Sequence, residues 1–190
     1  GPACRALAER LDALLATTLP ARGLFHDDPF SLNVAGGFSS AVARREIAKA
    51  DLILAVGCFL AHHNADGGKL WPEAQVLQID VDPVTLSQGR VAATSHLRAD
   101  ARLGVEALLE ATAPKKTLWR SDLLARDIAE TPPDDYPFDI APGTHDPREA
   151  TALLDDAIPK DWQVVNSSGH CSWFFANMVG RPNTHFLTIR

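Results

Sequence analysis

Two short aliphatic runs constrain the fold of this chain more than any other feature. One occupies residues 50–57 and ends at Gly57, and the other occupies residues 76–83 and ends in an Asp-x-Asp-Pro turn. Runs this short, rich in Val, Ile and Leu and closed by a turn signal, are typical of strands that helices cover on both faces. They predict an α/β fold built on a Rossmann-like parallel sheet flanked by helices. In such sheets, ligands bind at the carboxyl ends of the strands.

Composition and charge narrow the classes of function. The 190 residues carry a formal net charge of -6, and the 18 Lys and Arg residues never cluster beyond pairs, which argues against a nucleic-acid partner. No apolar run approaches the roughly 18 residues that a membrane span needs. Cys4, Cys58 and Cys171 include no Cys-x-x-Cys pair, which suits free thiols in a reducing cytoplasm. We therefore expect a soluble, cytoplasmic protein without a nucleic-acid or membrane partner.

Periodicity and turn residues predict an amino-terminal segment, residues 1–111. Ser39 or Ser40 is placed to cap a helix over residues 40–49, and Asp82-Pro83 favours a helix start. Residues 61–68 are predicted to form a loop. The other predicted elements are an amphipathic helix over 3–15, short strands over 14–18 and 95–98, a helix over 84–88, and a helix over 101–111 with Leu103, Val105, Leu108 and Leu109 facing inward.

Two further segments follow. Five prolines and few large aliphatic residues in positions 112–146 predict a connecting segment that needs no regular fold, apart from one helix over 118–129. The carboxy-terminal segment, residues 147–190, opens with a helix through 158 that Asp146 is placed to cap. It continues with a strand over 162–166, a loop over 167–170, a helix over 171–179 and a strand over 185–189, which together make an incomplete β-α-β unit.

Two glycine-containing turns are candidate anion sites. Gly36-Gly37 precedes the helix over 40–49, where a phosphate is able to approach the helix start, although two such glycines also make an ordinary tight turn. In the loop over 167–170, Gly169 permits unusual backbone angles and the next helix offers unpaired N–H groups. Both turns therefore suit an anionic cofactor.

Asp80 and the pair His62-His63 raise two further binding hypotheses. Asp80 ends a predicted strand, where a carboxylate often accepts a hydrogen bond from a ribose hydroxyl, and the alternative is that the turn only starts a helix capped by Asp82. A metal site at His62-His63 is not expected, because consecutive side chains point apart on most backbones and no third His lies nearby.

Several motifs occur together in an order that resembles one family. They are Thr17-Thr18, Ala-Arg-Gly-Leu-Phe-His-Asp-Asp-Pro over 21–29, Gly36-Gly37, the run over 50–57, Ile-Asp-Val-Asp-Pro over 79–83 and Ala-Asp-Ala over 99–101. In this order and spacing they resemble the central domain of thiamin-diphosphate-dependent enzymes of the acetolactate synthase, benzoylformate decarboxylase and oxalyl-CoA decarboxylase group. Residues 147–190 resemble the opening of the third, diphosphate-binding domain of those enzymes.

The resemblance implies a three-domain α/β enzyme that binds thiamin diphosphate and Mg²⁺ between subunits of a homodimer or homotetramer. Such an enzyme decarboxylates a 2-oxo acid or transfers the resulting activated aldehyde. The family carries an activating Glu in its first domain and a magnesium-binding Gly-Asp-Gly to Asn motif in its third. These 190 residues contain no Gly-Asp-Gly and match no part of that first domain. We therefore expect an internal fragment of a longer enzyme, inactive by itself.

The resemblance also implies site residues. Ser168, Gly169 and His170 match the turn that approaches the cofactor diphosphate, and Cys171 begins the helix behind it, although Ser167 and Ser168 also suit simple helix capping. Some members bind FAD or ADP at the strand ends of the central domain, where the matching residues are Gly36, Gly37, Gly57, Asp80 and Asp100.

One departure bears on that nucleotide site. Acetolactate synthases usually carry an Arg soon after the glycine that corresponds to Gly57, whereas here Cys58-Phe59-Leu60-Ala61 follow. This departure argues against an FAD site. This favours a purely structural Rossmann-like unit.

Overall fold

A computed structural model describes residues 1–84, 86–87, 89–135, 137–167 and 169–189. The helices are α1 (Pro2–Leu11), α2 (Ala41–Ile47), α3 (His62–Ala65), α4 (Ala101–Ala111), α5 (Asp122–Glu130), α6 (Pro147–Ala157) and α7 (His170–Phe175). The strands are β1 (Leu15–Thr17), β2 (Ser31–Val34), β3 (Leu52–Val56), β4 (Gln75–Asp80), β5 (Leu86–Ser87), β6 (Arg90–Val91), β7 (Ser95–Arg98), β8 (Val164–Ser167) and β9 (Phe186–Ile189). None of the helices in these ranges combines the length and apolar character that crossing a bilayer requires.

Parallel strand pairs dominate the sheets. β3, β4 and β7 lie side by side in that order, with Leu52 opposite Gln75 and Val56 opposite Ile79. β1 pairs with β2 and β8 pairs with β9, both in parallel, whereas β5 and β6 form a short antiparallel pair. Parallel neighbours need a crossover connection, and α3 and α7 lie in two of these crossovers. The predicted α/β fold, with parallel sheets flanked by helices, is confirmed.

Both faces of the central strands are covered. Ile79 of β4 belongs to a buried cluster with Leu7 of α1 and Val105 of α4. Val76, three residues earlier on the same strand, belongs to a second cluster with Ile47 of α2. Successive strand residues point to opposite faces, so an unbroken aliphatic run is what a strand covered on both faces requires. The runs over 50–57 and 76–83 are therefore the structural centre of the amino-terminal segment.

Side-chain caps set the starts of four helices, α2, α4, α5 and α6. The Ser40 hydroxyl oxygen accepts a hydrogen bond from the Ala43 N–H at 3.3 Å, and the Asp146 carboxylate accepts one from the Arg148 N–H at 2.8 Å. The predicted caps of α2 and α6 are thus confirmed. Asp100 caps α4 in the same way, with its carboxylate 3.0 Å from the N–H groups of both Arg102 and Leu103.

The helix predicted over residues 84–88 is wrong. Leu86 and Ser87 form β5 and pair with β6, and the neighbouring Thr85 and Gln88 lie outside the described residues. A tertiary contact overrides the helix-start signal of Asp82-Pro83, because the Oε1 atom of the buried Gln78 accepts a hydrogen bond from the Val84 N–H at 2.9 Å. This bond holds the chain against β4 where the helix would begin.

Two smaller expectations are also corrected. Leu103 of α4 is 55% exposed, because it lies two residues from the buried Val105 and a helix rotates by about 200° over that step. The helix turns Val105, Leu108 and Leu109 toward the sheet instead. Residues 61–68, predicted as a loop, contain α3 and a 3-10 helix over Asp66–Gly68.

The connecting segment packs against the amino-terminal segment. Its helix α5 covers Asp122–Glu130, close to the prediction, and Leu124 of this helix is buried. The Asp12 carboxylate accepts hydrogen bonds from the N–H groups of Thr117, Trp119 and Arg120. The predicted helix is thus present, and the residues just before it are fixed by hydrogen bonds to the Asp12 side chain.

Candidate functional site

The turn after β8 is the candidate site of the carboxy-terminal segment. Gly169 lies between the carboxyl end of β8 and the start of α7 with φ at 141°, a value that favours glycine. His170 and Cys171 are the first residues of α7, and Ser168 lies outside the described residues. The turn has the glycine conformation that lets a ligand approach the backbone closely.

This turn lies next to the loop that follows β2. The Trp173 ring of α7 stacks on Phe38 with 4.4 Å between ring centroids. A Cβ atom at Gly37 would lie 3.6 Å from the same Trp173 ring. The structure therefore brings Gly37 close to α7, so two separately predicted site groups are neighbours.

Arg22 lies against the same turn and helix, and the sequence assigned it no role. Its Nη1 donates a hydrogen bond to the Phe175 carbonyl oxygen at 2.7 Å, and its Nη2 donates one to Asn166 Oδ1 at 3.2 Å. The guanidinium carbon lies 4.0 Å from the centroid of the Phe186 ring. Burial lowers the pKa of Arg22 to about 10, so the side chain remains cationic at neutral pH. The only sequence signal was its place in the motif over 21–29.

Gly36 is required by packing between two backbone segments. Its φ is 99°, and a Cβ atom there would lie 1.8 Å from the His63 carbonyl oxygen. The Gly37 N–H donates a hydrogen bond to that same oxygen at 2.9 Å. The loops that follow β2 and β3 meet at this point, which explains the glycine without a bound phosphate.

Gly57, Asp80 and Asp100 lie along the carboxyl edge of the β3-β4-β7 sheet, as predicted. The Gly57 N–H donates a hydrogen bond to the Ile79 carbonyl oxygen at 2.9 Å. The Asp80 Oδ1 atom accepts one from the Asp82 N–H at 3.1 Å, and Asp100 caps α4. Each carboxylate therefore has a local structural partner.

The loop after Gly57 packs against the carboxyl edge of the β3-β4-β7 sheet. Leu60 is only 1% exposed despite a φ of 53°, a conformation that a side chain of this size rarely adopts. The buried Gln78 donates a hydrogen bond through Nε2 to the Cys58 carbonyl oxygen at 2.9 Å, and Arg90 Nη2 donates one to the Leu60 carbonyl oxygen at 2.9 Å. These two hydrogen bonds fix residues 58–60 against β4 and β6.

Two cavities lie away from this edge. One, of about 260 Å³, is lined by residues that precede β4 and β7, including Trp71, Pro72 and Arg90. The other is only about 10 Å³ and lies where Arg22 and Gly23 meet residues 176 and 178–181, which leaves room for at most one water molecule. Neither is lined by Gly57, Asp80 or Asp100.

The histidine pair lies at the start of α3. The rings of His62 and His63 meet edge to face with 5.8 Å between centroids. Within the described part of the chain, no group of three or more His, Cys, Asp or Glu side chains is arranged to hold a metal ion.

Comparison with known proteins identifies the family of this fold. The sequence profile described as "Thiamine pyrophosphate enzyme, central domain" matches residues 1–108. The chain belongs to the thiamine pyrophosphate enzyme family. The match runs from α1 through β7 into α4, and it confirms the resemblance carried by the motifs between residues 17 and 101.

Curated relatives of this thiamine pyrophosphate enzyme chain are much longer than the chain itself. It is 29% identical over 188 residues to the acetolactate synthase large subunit of Parasynechococcus marenigrum strain WH8102, covering 94% of this chain and 29% of that protein. It is 37% identical over 109 residues to the probable 2-ketoarginine decarboxylase of Pseudomonas aeruginosa, covering 57% of this chain and 19% of that protein. The chain thus spans less than a third of either relative.

The turn at Gly169 fits the diphosphate of the family's cofactor. A diphosphate is recognised by backbone N–H groups in turns that only glycine adopts easily, and Gly169 has such a conformation at the carboxyl end of β8. The backbone of Gly169 and His170 would hold the diphosphate.

Proposed function

We propose that this chain is part of a thiamin-diphosphate-dependent enzyme that acts on a 2-oxo acid, by decarboxylation or by transfer of the resulting activated aldehyde. The observation that carries the proposal is the match of residues 1–108 to the family's central domain. The similarity to an acetolactate synthase and to a probable decarboxylase supports this pair of reactions. When bound, thiamin diphosphate supplies carbanion stabilisation at the 2-oxo carbon.

In this proposal the chain binds and orients the cofactor but does not activate it. The backbone around Ser168, Gly169, His170 and Cys171 contacts the diphosphate, and Mg²⁺ is held there by residues outside these 190. The complete enzyme is a homodimer or homotetramer in the cytoplasm. The free thiols of Cys4 and Cys58 support a reducing compartment.

The test uses the complete enzyme, meaning the full reading frame that encodes this chain together with any separate subunit. Given thiamin diphosphate and Mg²⁺, it is expected to consume at least one 2-oxo acid from a panel with short, branched, aromatic and guanidino side chains. Release of CO₂ without a longer keto acid product indicates decarboxylation, and a longer product indicates aldehyde transfer. A complete enzyme that neither binds the cofactor in calorimetry nor consumes any panel member would refute the proposal.

The 190-residue chain provides the matched comparison. It contains no Gly-Asp-Gly motif, so under the same conditions we expect it to consume no 2-oxo acid. Turnover by the chain alone would contradict the division of roles given above.

We also propose that Gly36, Gly57, Asp80 and Asp100 have a structural role and bind no nucleotide. The hydrogen bonds of the two carboxylates and the contact of Gly36 with His63 support this role. Calorimetry of the chain with ADP, FAD, NAD and coenzyme A is expected to show no saturable heat. Saturable binding that Asp80→Asn weakens would instead favour a nucleotide site.

A further inference from the structure

We propose that Arg22 and Gly23 of the amino-terminal segment position the turn between β8 and α7. The inference rests on the proposed function, in which the backbone of this turn contacts the cofactor diphosphate. It assigns a positioning role to two residues that lie about 145 residues earlier in the chain. The family's central domain would then contribute to cofactor affinity without touching the cofactor.

Arg22 is bonded on both sides of the turn. Asn166 ends the buried part of β8 just before the turn, and Phe175 is the last residue of α7 just after it. Arg22 donates a hydrogen bond to each, through Nη2 and Nη1 respectively. A single rigid guanidinium therefore sets the distance between the strand that enters the turn and the helix that leaves it.

The third contact of Arg22 extends this support to the neighbouring strand. Its guanidinium stacks on Phe186, the first residue of β9, which pairs with Val164 of β8. The planar fork of Arg makes two directed hydrogen bonds and one stacking contact at once, which the single ammonium of Lys is unable to do. Loss of Arg22 would also leave the buried Asn166 Oδ1 atom and the half-buried Phe175 carbonyl oxygen without this donor.

Gly23 lets the two segments approach closely enough for these bonds. Its φ is 81°, and a Cβ atom there would lie 2.2 Å from the Arg181 carbonyl oxygen and 2.9 Å from the Asn183 nitrogen. Arg181 is itself fully buried and donates hydrogen bonds to Asp155 and to the carbonyl oxygens of Ile158 and Pro159. Arg22 and Gly23 therefore pack directly against residues 176 and 178–181, and the cavity between them is only about 10 Å³.

A diphosphate binds to backbone N–H groups most tightly when those groups are already ordered before it arrives. If the turn is free to move, binding must also order it, and the cost appears as weaker affinity. Once the cofactor is bound and saturating, the same geometry is restored. Substitution of Arg22 or Gly23 is thus expected to raise the dissociation constant for thiamin diphosphate. At saturating cofactor, kcat should stay within a few-fold of the wild-type value.

The first test uses the 190-residue chain and needs no cofactor. Amide hydrogen exchange is measured for Arg22→Met, Arg22→Lys and Gly23→Ala, with Arg102→Met as the matched control because the Arg102 side chain is exposed on α4 and pairs with the exposed Glu106. In Arg22→Met and Gly23→Ala, peptides from 164–175 are expected to exchange about ten-fold faster or more, while peptides covering β3 and β4 are unchanged. Arg22→Lys is expected to recover part of the protection.

Two results of this test would overturn the inference. One is unchanged exchange over 164–175 in both Arg22→Met and Gly23→Ala. The other is equal acceleration in all peptides, which would mean that these residues only stabilise the fold as a whole. If Arg22→Met does not fold, Arg22→Lys and Gly23→Ala decide by the same criterion.

The second test titrates the complete enzyme with thiamin diphosphate by calorimetry. Arg22→Lys and Gly23→Ala are expected to raise the dissociation constant about ten-fold or more, and Arg102→Met is expected to leave it unchanged. A wild-type enzyme that binds no thiamin diphosphate would overturn the proposed function. If the wild-type enzyme binds thiamin diphosphate and both Arg22→Lys and Gly23→Ala bind it equally well, only the positioning role is overturned.

Discussion

Glu46 is a buried carboxylate near the end of α2 that joins two segments of the chain. Its Oε1 atom accepts hydrogen bonds from Arg45 Nε and Lys49 Nζ, both at 2.7 Å, and its Oε2 atom accepts one from Trp119 Nε1 at 3.0 Å. Burial by itself would raise the pKa of Glu46, but the hydrogen bonds from Lys49, Trp119 and Arg45 outweigh it and lower the pKa below its ordinary value of 4.5. Folding therefore favours the ionised carboxylate.

The sign of this shift predicts a pH dependence. A pKa lowered by folding means that ionised Glu46 stabilises the fold above its unfolded value of 4.5, and that this stabilisation is lost as the pH falls through the folded-state pKa. Glu46→Gln is expected to lower the free energy of unfolding by about 1 to 3 kcal/mol at neutral pH. In urea titrations at several pH values, the difference from wild type should shrink below pH 4.5.

Glu106→Gln is the control for that measurement. Glu106 forms an exposed pair with Arg102 at 3.5 Å, so the stability change in Glu106→Gln should stay within about 0.5 kcal/mol at every pH. A Glu46→Gln difference of equal size at neutral and acidic pH would show that the hydrogen-bonded charge is not its cause.

Gly36 and Gly143 separate two reasons for keeping a glycine. Both have positive φ, at 99° and 82°, but a Cβ atom at Gly36 would lie 1.8 Å from the His63 carbonyl oxygen, whereas one at Gly143 would meet nothing within 4 Å. Gly143→Ala is expected to cost about 1 kcal/mol of stability from backbone strain. Gly36→Ala is expected to cost about 2 kcal/mol or more, because the loops after β2 and β3 must move apart. Equal losses in thermal unfolding would contradict this account.

At the scale of elements, two of the parallel strand sets, β3-β4-β7 and β8-β9, differ in how they are covered. β3 and β4 have buried clusters on both faces. In the β8-β9 pair, Val165 lies opposite Leu187, and these side chains are 55% and 58% exposed. Parallel strands are usually covered on both faces, so the β8-β9 pair departs from this rule at Val165 and Leu187.

The start of α4 gives a prediction that separates helix capping by Asp100 from an effect of its charge. Asp100 accepts hydrogen bonds from the N–H groups of Arg102 and Leu103, and an Asn oxygen is able to do the same. Asp100→Ala is expected to lower stability by about 1 kcal/mol, whereas Asp100→Asn should stay within about 0.5 kcal/mol of wild type in urea unfolding. A loss of equal size in both variants would show that the charge of Asp100, rather than the cap, matters to the fold.

At the scale of the whole molecule, the connecting segment is tied to the rest at Asp12. The Asp12 Oδ2 atom accepts hydrogen bonds from the Thr117 N–H and hydroxyl at 2.8 Å and from the Trp119 N–H at 3.0 Å. Burial raises the pKa of Asp12, but the hydrogen bonds from the Thr117 hydroxyl and from the N–H groups of Thr117, Trp119 and Arg120 outweigh it and lower the pKa overall. The Asp12 carboxylate thus supplies hydrogen-bond acceptors for backbone N–H groups of residues 117–120, which lie outside any helix or strand.

Removing this carboxylate is expected to release the connecting segment before the rest unfolds. In limited trypsin digestion, Asp12→Ala should be cleaved about ten-fold faster after Lys115, Lys116 and Arg120. Asp12→Asn keeps the left-handed conformation of residue 12 (φ 55°) and one acceptor oxygen, so it should show an intermediate rate. The exposed Asp51→Ala is the control. Unchanged cleavage at these sites in Asp12→Ala would contradict the anchoring role.

Local signals in the sequence were sufficient for the elements whose burial and caps depend on nearby residues. The aliphatic runs predicted β3 and β4, and the Ser40 and Asp146 caps predicted the starts of α2 and α6. The order of the motifs predicted the family that residues 1–108 match. The helix expected over 84–88 failed because Gln78, a residue of another element, bonds the chain at Val84.

What the sequence alone determined is the class of fold, the family and the candidate turn at residues 168–171, because periodicity, turn residues and motif order are all properties of neighbouring positions. What only the tertiary structure decided is the partner of each of these features. It placed His63 against Gly36, Asp12 beneath residues 117–120, and Arg22 between Asn166 and Phe175. Those partners lie between 27 and 153 positions apart in the chain, and contacts over such separations depend on how the elements pack, which local sequence patterns do not encode.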